Sequence, residues 1–124
     1  MNARRLVAVV DDDESVRESL PDLLGELGFE AETFASGLEF LRSDVRGRAD
    51  VFVFDIAMPR MGGLELLRMA RQEGSRTPII FITARTDDAT RNLALAEGGV
   101  ACLIKPFGPS ALLEALELAI PRSK

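Results

Sequence analysis

Histidine is absent from the 124-residue chain, and cysteine occurs once, at Cys102. The first absence removes imidazole base catalysis, histidine phosphorylation of this chain and any metal site built on His. The second leaves an intramolecular disulfide without a partner and fits a reducing compartment, so cytoplasmic residence is the expectation. No apolar run approaches the roughly 20 residues that cross a bilayer. The run at the amino end, residues 6–10, is too short for a signal peptide and leads straight into three aspartates. Cations are also in deficit: 15 Lys plus Arg against 20 Asp plus Glu give a formal net charge of -5. Nucleic acid is bound through surplus cations, so no direct contact with it is expected. Whatever chemistry occurs must use carboxylates, hydroxyls and amines.

What is present suits one compact domain over residues 1–124, since 47% of the residues are hydrophobic and the length leaves no room for two ordinary domains. The tail, residues 122–124, is too short to be a second module. Residues 6–10 (LVAVV) are continuously apolar and β-branched, as in a strand covered on both faces. Val16, Leu20, Leu23, Leu24 and Leu27 then recur at helical spacing until Gly28, with Pro21 expected to kink the axis. Residues 30–34 form a short strand, and residues 37–42 a short helix capped by Ser36. Residues 51–54 (VFVF) are a second buried strand ending at Asp55, followed by a helix through Leu64, Leu67, Met69 and Ala70 that Gly74 stops. Residues 79–82 (IIFI) are a third buried strand ending at Thr83. Thr86 or Asp87 caps the next helix, in which Ala89, Leu93 and Ala96 are expected to face inward. Residues 101–104 form the last strand, and Pro109 opens a helix that runs to Pro121. Five strands alternating with five helices over short connections indicate a doubly wound parallel α/β sheet.

In such a sheet, ligands bind outside the carboxyl ends of the strands. Four of the five strands end there in a charged or reactive residue: Asp11, Asp12 and Asp13, then Asp55, Thr83 and Lys105. Several carboxylates in one cleft repel one another, so the folded state needs proton uptake or a cation. Magnesium suits an all-oxygen site, taking one or two carboxylates and completing its shell with water. A carboxylate can also attack phosphorus and hold the phosphoryl group as an acyl phosphate, provided the equatorial oxygens are neutralised. Asp55, Lys105, Thr83 and a magnesium held by Asp11 and Asp12 compose such a set, although Lys105 could equally be an ion-pair partner of the acids.

The segments VVDDD (residues 9–13), VFDIAMPRMGGLELL (53–67), PIIFITA (78–84) and LIKPF (103–107) stand in the order and spacing of the response-regulator receiver domain of two-component signalling. The chain resembles that family over essentially its whole length. The resemblance implies a flavodoxin-like (βα)5 fold with strand order 2-1-3-4-5. It assigns Asp55 as phosphoacceptor, with Asp11, Asp12, Asp55 and the Ala57 carbonyl as ligands of Mg2+. Thr83 becomes the switch hydroxyl and Lys105 the phosphate-contacting amine, with a cis bond between Lys105 and Pro106. Asp13 either touches the metal or its waters or caps the first helix. The implied partner is a sensor histidine kinase or phosphotransfer protein, docking on the first helix. The implied activity is self-catalysed phosphotransfer and dephosphorylation, not metabolism.

Residues from Gly28 onward (GFEAETFASGLEFL) further resemble receivers of transcriptional regulators with a helix-turn-helix output module. Either that DNA-binding module is missing here or the receiver stands alone. The output face is expected on the fourth helix, fifth strand and fifth helix, where a homodimer could form. In the fifth helix, Leu112, Leu113, Leu116 and Ile120 are expected to line the core, leaving Ala111, Ala115 and Leu118 as an outer stripe. Two departures from the family pattern stand out. Cys102 replaces the usual aromatic switch residue and reads as a small core residue. Gly62 replaces an aspartate, which points to a looser loop. Ala57 and Arg85 occupy the two variable positions that in the family border the phosphoryl group: Ala57 offers no side-chain donor or acceptor there, and Arg85 either reaches over the phosphoryl group or points into water. A receiver kept only for protein binding is the alternative, and the intact Asp11, Asp12, Asp55, Thr83 and Lys105 argue against it.

Overall fold

A computed structural model describes residues 4–121; residues 1–3 and 122–124, including the short tail, lie outside it. The chain alternates strands and helices as its apolar runs dictate. The elements are β1 (Arg5–Val10), α1 (Glu14–Glu26), β2 (Phe29–Phe34), α2 (Gly37–Arg42), β3 (Val51–Asp55), α3 (Gly63–Gln72), β4 (Ile79–Thr83), α4 (Asp88–Ala96), β5 (Ala101–Ile104) and α5 (Pro109–Ala119). All strand pairs are parallel, in the order β2-β1-β3-β4-β5. This is the doubly wound, flavodoxin-like (βα)5 sheet.

The unbroken apolar strands are explained by helices on both faces. Side chains alternate across a strand, so Ala8, Val10, Phe52, Phe54, Ile79 and Phe81 pack towards α2, α3 and α4. Val7, Val9, Val51, Val53, Ile80 and Ile82 pack towards α1 and α5. On the first face Phe40 of α2 meets Phe34, Phe52 and Phe54 edge-on at centroid distances of 5.7, 5.1 and 5.2 Å. These T-shaped contacts add to area burial and pin a short helix that propensity alone would not hold.

Helix ends follow the expected chemistry. Asp13, Ser36 and Asp87 accept bonds from the first-turn amides of α1, α2 and α4. Gly28, Gly74 and Gly98 take the left-handed backbone that ends α1, α3 and α4. Helix α1 continues through Pro21. A 3-10 turn, Val45–Gly47, precedes β3 and buries Val45; its three residues are too few to show periodicity in the sequence.

Two helix orientations differ from expectation. In α4 only Ala94 is fully buried, whereas Ala89, Leu93 and Ala96 face outward. The inward stripe lies one position round, at Thr90, Ala94 and Glu97, and is the more polar of the two, so apolarity alone pointed to the wrong face. In α5 the buried set is Leu112, Ala115 and Leu116, with Leu113 and Ile120 partly covered, and Leu118 is the exposed large apolar side chain. Ala115 therefore belongs to the core.

Candidate functional site

Register brings the polar strand ends together. Val10 pairs with Phe54, which places Asp11 and Asp55 side by side at the ends of β1 and β3. Asp55 pairs with Ile82, so Thr83 follows one step on, and Thr83 pairs with Ile104, immediately before Lys105. The Lys105 N–H donates to the Thr83 carbonyl at 2.8 Å, and the Lys105-Pro106 bond is cis.

Asp11, Asp55 and Thr83 are buried, whereas Asp12 is exposed. Asp11, Asp12 and Asp55 each bring one carboxylate oxygen within 4.8 Å of the others, the group of that kind found among the described residues. Lys105 Nζ donates to Asp11 Oδ2 at 3.0 Å and stands 3.7 Å from Asp55 Oδ2. One ammonium thus reaches two of the three acids. Burial, then the charge of Asp11, pushes the Asp55 carboxyl up to about 6, against the opposing pull of Lys105 and the Ala57 N–H. Burial pulls Lys105 down, but its bond to Asp11 and the charges of Asp55, Asp11 and Asp13 together raise it.

Asp13 is a cap. Its Oδ1 accepts from the Ser15 N–H at 2.9 Å and the Ser15 hydroxyl at 2.8 Å, which holds it below the ordinary carboxylate range. Thr83 Oγ1 accepts from the Arg85 N–H at 3.0 Å. The Arg85 guanidinium turns instead to Asp87, 2.9 Å away. Cys102 is half-buried against the α2–α4 side of the sheet, and burial raises its thiol, as suits a small packing residue.

The two glycines after Asp55 close the loop rather than loosen it. A Cβ at Gly62 would stand 2.7 Å from the Ile56 carbonyl oxygen, and one at Gly63 2.5 Å from that of Asp55. Their lack of side chains lets the start of α3 seat directly beneath the acid. Sequence reasoning also passed over Arg17, whose Nη1 donates to the Asp11 carbonyl at 3.0 Å. Its position four residues after the capping Asp13, one turn into α1, was the available signal.

Comparison with known proteins agrees with this geometry. Residues 7–117 match the family model described as response regulator receiver domain. The chain is 38% identical over 118 residues to response regulator MprA of Mycobacterium leprae (strain TN), covering 95% of this chain and 52% of that protein. It therefore spans about half the length of such relatives. Chemotaxis protein CheY4 of Vibrio cholerae superposes with a TM-score of 0.85 at 34% identity, covering 95% of this chain and all of that one (100%). Response regulator StyR superposes with a TM-score of 0.84 at 41% identity, covering 95% of this chain and 60% of that one. With the sheet order, the acid cluster and these matches in agreement, the chain belongs to the response regulator receiver domain family, phosphoacceptor modules that carry out their own phosphoryl transfer and loss rather than turning over a metabolite.

Proposed function

We propose that Asp55 accepts a phosphoryl group from a sensor histidine kinase or phosphotransfer protein, with Mg2+ held by Asp11, Asp12, Asp55 and the Ala57 carbonyl. The observation that carries this reading is the placement of the buried Asp55 carboxylate between Asp11 and Lys105 at the carboxyl edge of the sheet. The donor set fits a small hard cation: three carboxylate oxygens lie within 4.8 Å of one another, one from an exposed residue, with a single ammonium to offset them. When bound, the cation neutralises oxygens of the transferring phosphoryl group.

The chain's own residues do the rest. An Asp55 carboxylate oxygen attacks phosphorus in line; the bond from phosphorus to the donor's nitrogen or oxygen breaks, and its electron pair leaves with the donor. Lys105, 3.7 Å from Asp55, passes from its resting ion pair to the new phosphoryl oxygens. The Thr83 hydroxyl, whose oxygen already accepts from the Arg85 N–H, donates a hydrogen bond to the phosphoryl group and draws the loop before α4 with it. The signal leaves through α4, β5 and α5, where Leu93, Leu95, Ile104 and Leu118 are exposed. A second copy of the chain docks on that face, and in a longer parent protein a DNA-binding output module follows the receiver. The reading places the protein in the cytoplasm, in keeping with the absence of any helix long and apolar enough to cross a membrane among the described residues.

Intact mass after incubation with Mg2+ and acetyl phosphate tests the assignment. The wild type gains one phosphoryl group only with magnesium present, and Asp55→Ala gains none. A folded wild type that stays unmodified would instead identify a receiver fold acting through phosphorylation-independent protein binding.

A further inference from the structure

Asp11 has every polar group engaged. Its N–H donates to the Phe34 carbonyl at 3.1 Å, Oδ1 accepts from the Asp13 N–H at 2.9 Å, and Oδ2 accepts from Lys105 at 3.0 Å. Its carbonyl oxygen accepts from Arg17 Nη1 at 3.0 Å. The first three partners belong to the sheet, the helix cap and the site. The fourth is a half-buried side chain on α1 that reaches six residues back across the first turn. The Arg17 backbone N–H also bonds the Asp13 carbonyl, at 3.2 Å. One residue therefore ties both ends of the three-aspartate turn.

We propose that Arg17 is a positioning residue for the cation site: by fixing the peptide between Asp11 and Asp12 it aims the exposed Asp12 carboxylate at the divalent ion. The inference rests on the reading of Asp11 and Asp12 as cation ligands. Arg17 spends its bond on a carbonyl, so it occupies no carboxylate oxygen that a cation would use. Its charge acts in the opposite sense, because a guanidinium near the site repels a divalent cation. Positioning and charge thus predict opposite signs. If Arg17 acts by orientation, removing it weakens magnesium binding; if it acts by charge, removing it strengthens binding.

Magnesium titration of the full chain by calorimetry decides between them. Arg17→Met keeps the reach but loses donor and charge, and Arg17→Lys keeps a donor and the charge. Losing a group that orients a metal ligand costs at least about tenfold in affinity, so Arg17→Met should raise the magnesium Kd roughly tenfold and Arg17→Lys should recover part of the loss. Thermal unfolding in EDTA checks that each variant is folded. Should Arg17→Met fail to fold, Arg17→Gln, shorter and uncharged, carries the same expectation relative to Arg17→Lys. Unchanged or tighter binding by a folded Arg17→Met, with the wild type binding normally, overturns the inference. No magnesium binding by the wild type overturns the cation reading beneath it, and the two failures are told apart by that wild-type titration.

Discussion

Replacing Asp55 by Asn in magnesium-free protein perturbs the electrostatics of the site while nearly preserving its shape. Burial and the neighbouring Asp11 raise the Asp55 carboxyl from 3.8 to about 6. Between those values the folded chain holds a proton that the unfolded chain has released. Stability therefore falls as pH rises through this window, and the penalty is complete above about pH 6. A shift of roughly two units at about 1.36 kcal/mol each bounds the penalty at about 3 kcal/mol at pH 7.5. The attraction of Lys105 is already inside that shift, and Asn keeps the volume without the charge. Asp55→Asn should therefore be more stable than wild type at pH 7.5 in EDTA, by up to about 3 kcal/mol. At roughly 3 to 6 °C per kcal/mol for a domain of this size, thermal melts resolve the difference easily. The gap should close near pH 4, where the wild-type carboxyl is protonated, and saturating magnesium should narrow it at pH 7.5. A variant less stable than wild type at pH 7.5, or a gain of equal size at pH 4, would refute the reasoning.

Other perturbations test the backbone around the site. Arg60 has a left-handed φ of 69°, so Arg60→Gly should add about 0.5 to 1 kcal/mol in urea denaturation, and a loss would show the strain to be offset by contacts. Gly63→Ala would force a Cβ to 2.5 Å from the Asp55 carbonyl oxygen, so a destabilisation of about 1–3 kcal/mol is expected together with slower phosphorylation by acetyl phosphate. Normal stability and rate would mean that the start of α3 shifts freely. In native-state hydrogen exchange the amides of α4, which fully buries only Ala94, should exchange faster than those of α3, which buries Gly63, Leu66, Leu67 and Ala70. Equal protection would contradict a loosely held α4.

The sheet was legible because its central strands leave no room for another interpretation. LVAVV, VFVF and IIFI are apolar at every position, and only helices on both faces bury both sides of such strands. The site was legible for a related reason: at the end of a doubly buried strand, the first polar residue marks where the chain leaves the core. Asp11, Asp55 and Thr83 occupy that point, Lys105 follows the partly buried edge strand β5, and parallel pairing puts all four at one end of the sheet. Helix α4 was misread because Ala89, Leu93 and Ala96 compete with Thr90, Ala94 and Glu97 for the inner face, and polarity alone favours the wrong stripe. Thr90 turns inward because its amide and hydroxyl bond the capping Asp87, at 3.0 and 2.8 Å. Glu97 is drawn in by Arg68 of α3, 3.0 Å away. Those partners lie on a loop and on another helix, and periodicity within α4 carries no record of either.

The same arrangement of α4 gives the site a route outward. Helix α3 is seated on the Asp55 carbonyl through Gly63 and carries two fully buried leucines, so displacing it would open the core. Helix α4 is held by one buried alanine, a cap and an exposed ion pair, and exposed pairs contribute only about 0 to 1 kcal/mol. Between the two starting points stands Thr83, buried at the end of β4 and bonded through its hydroxyl oxygen to the loop that carries the α4 cap. A pull on Thr83 therefore meets a stiff support on the α3 side and a soft one on the α4 side. On the proposed function the softer element is the one that moves, and it carries Leu93 and Leu95 on its outer surface. On that same proposal, weak anchoring of α4 is what lets a change of charge at Asp55 become a change of shape at the proposed docking face.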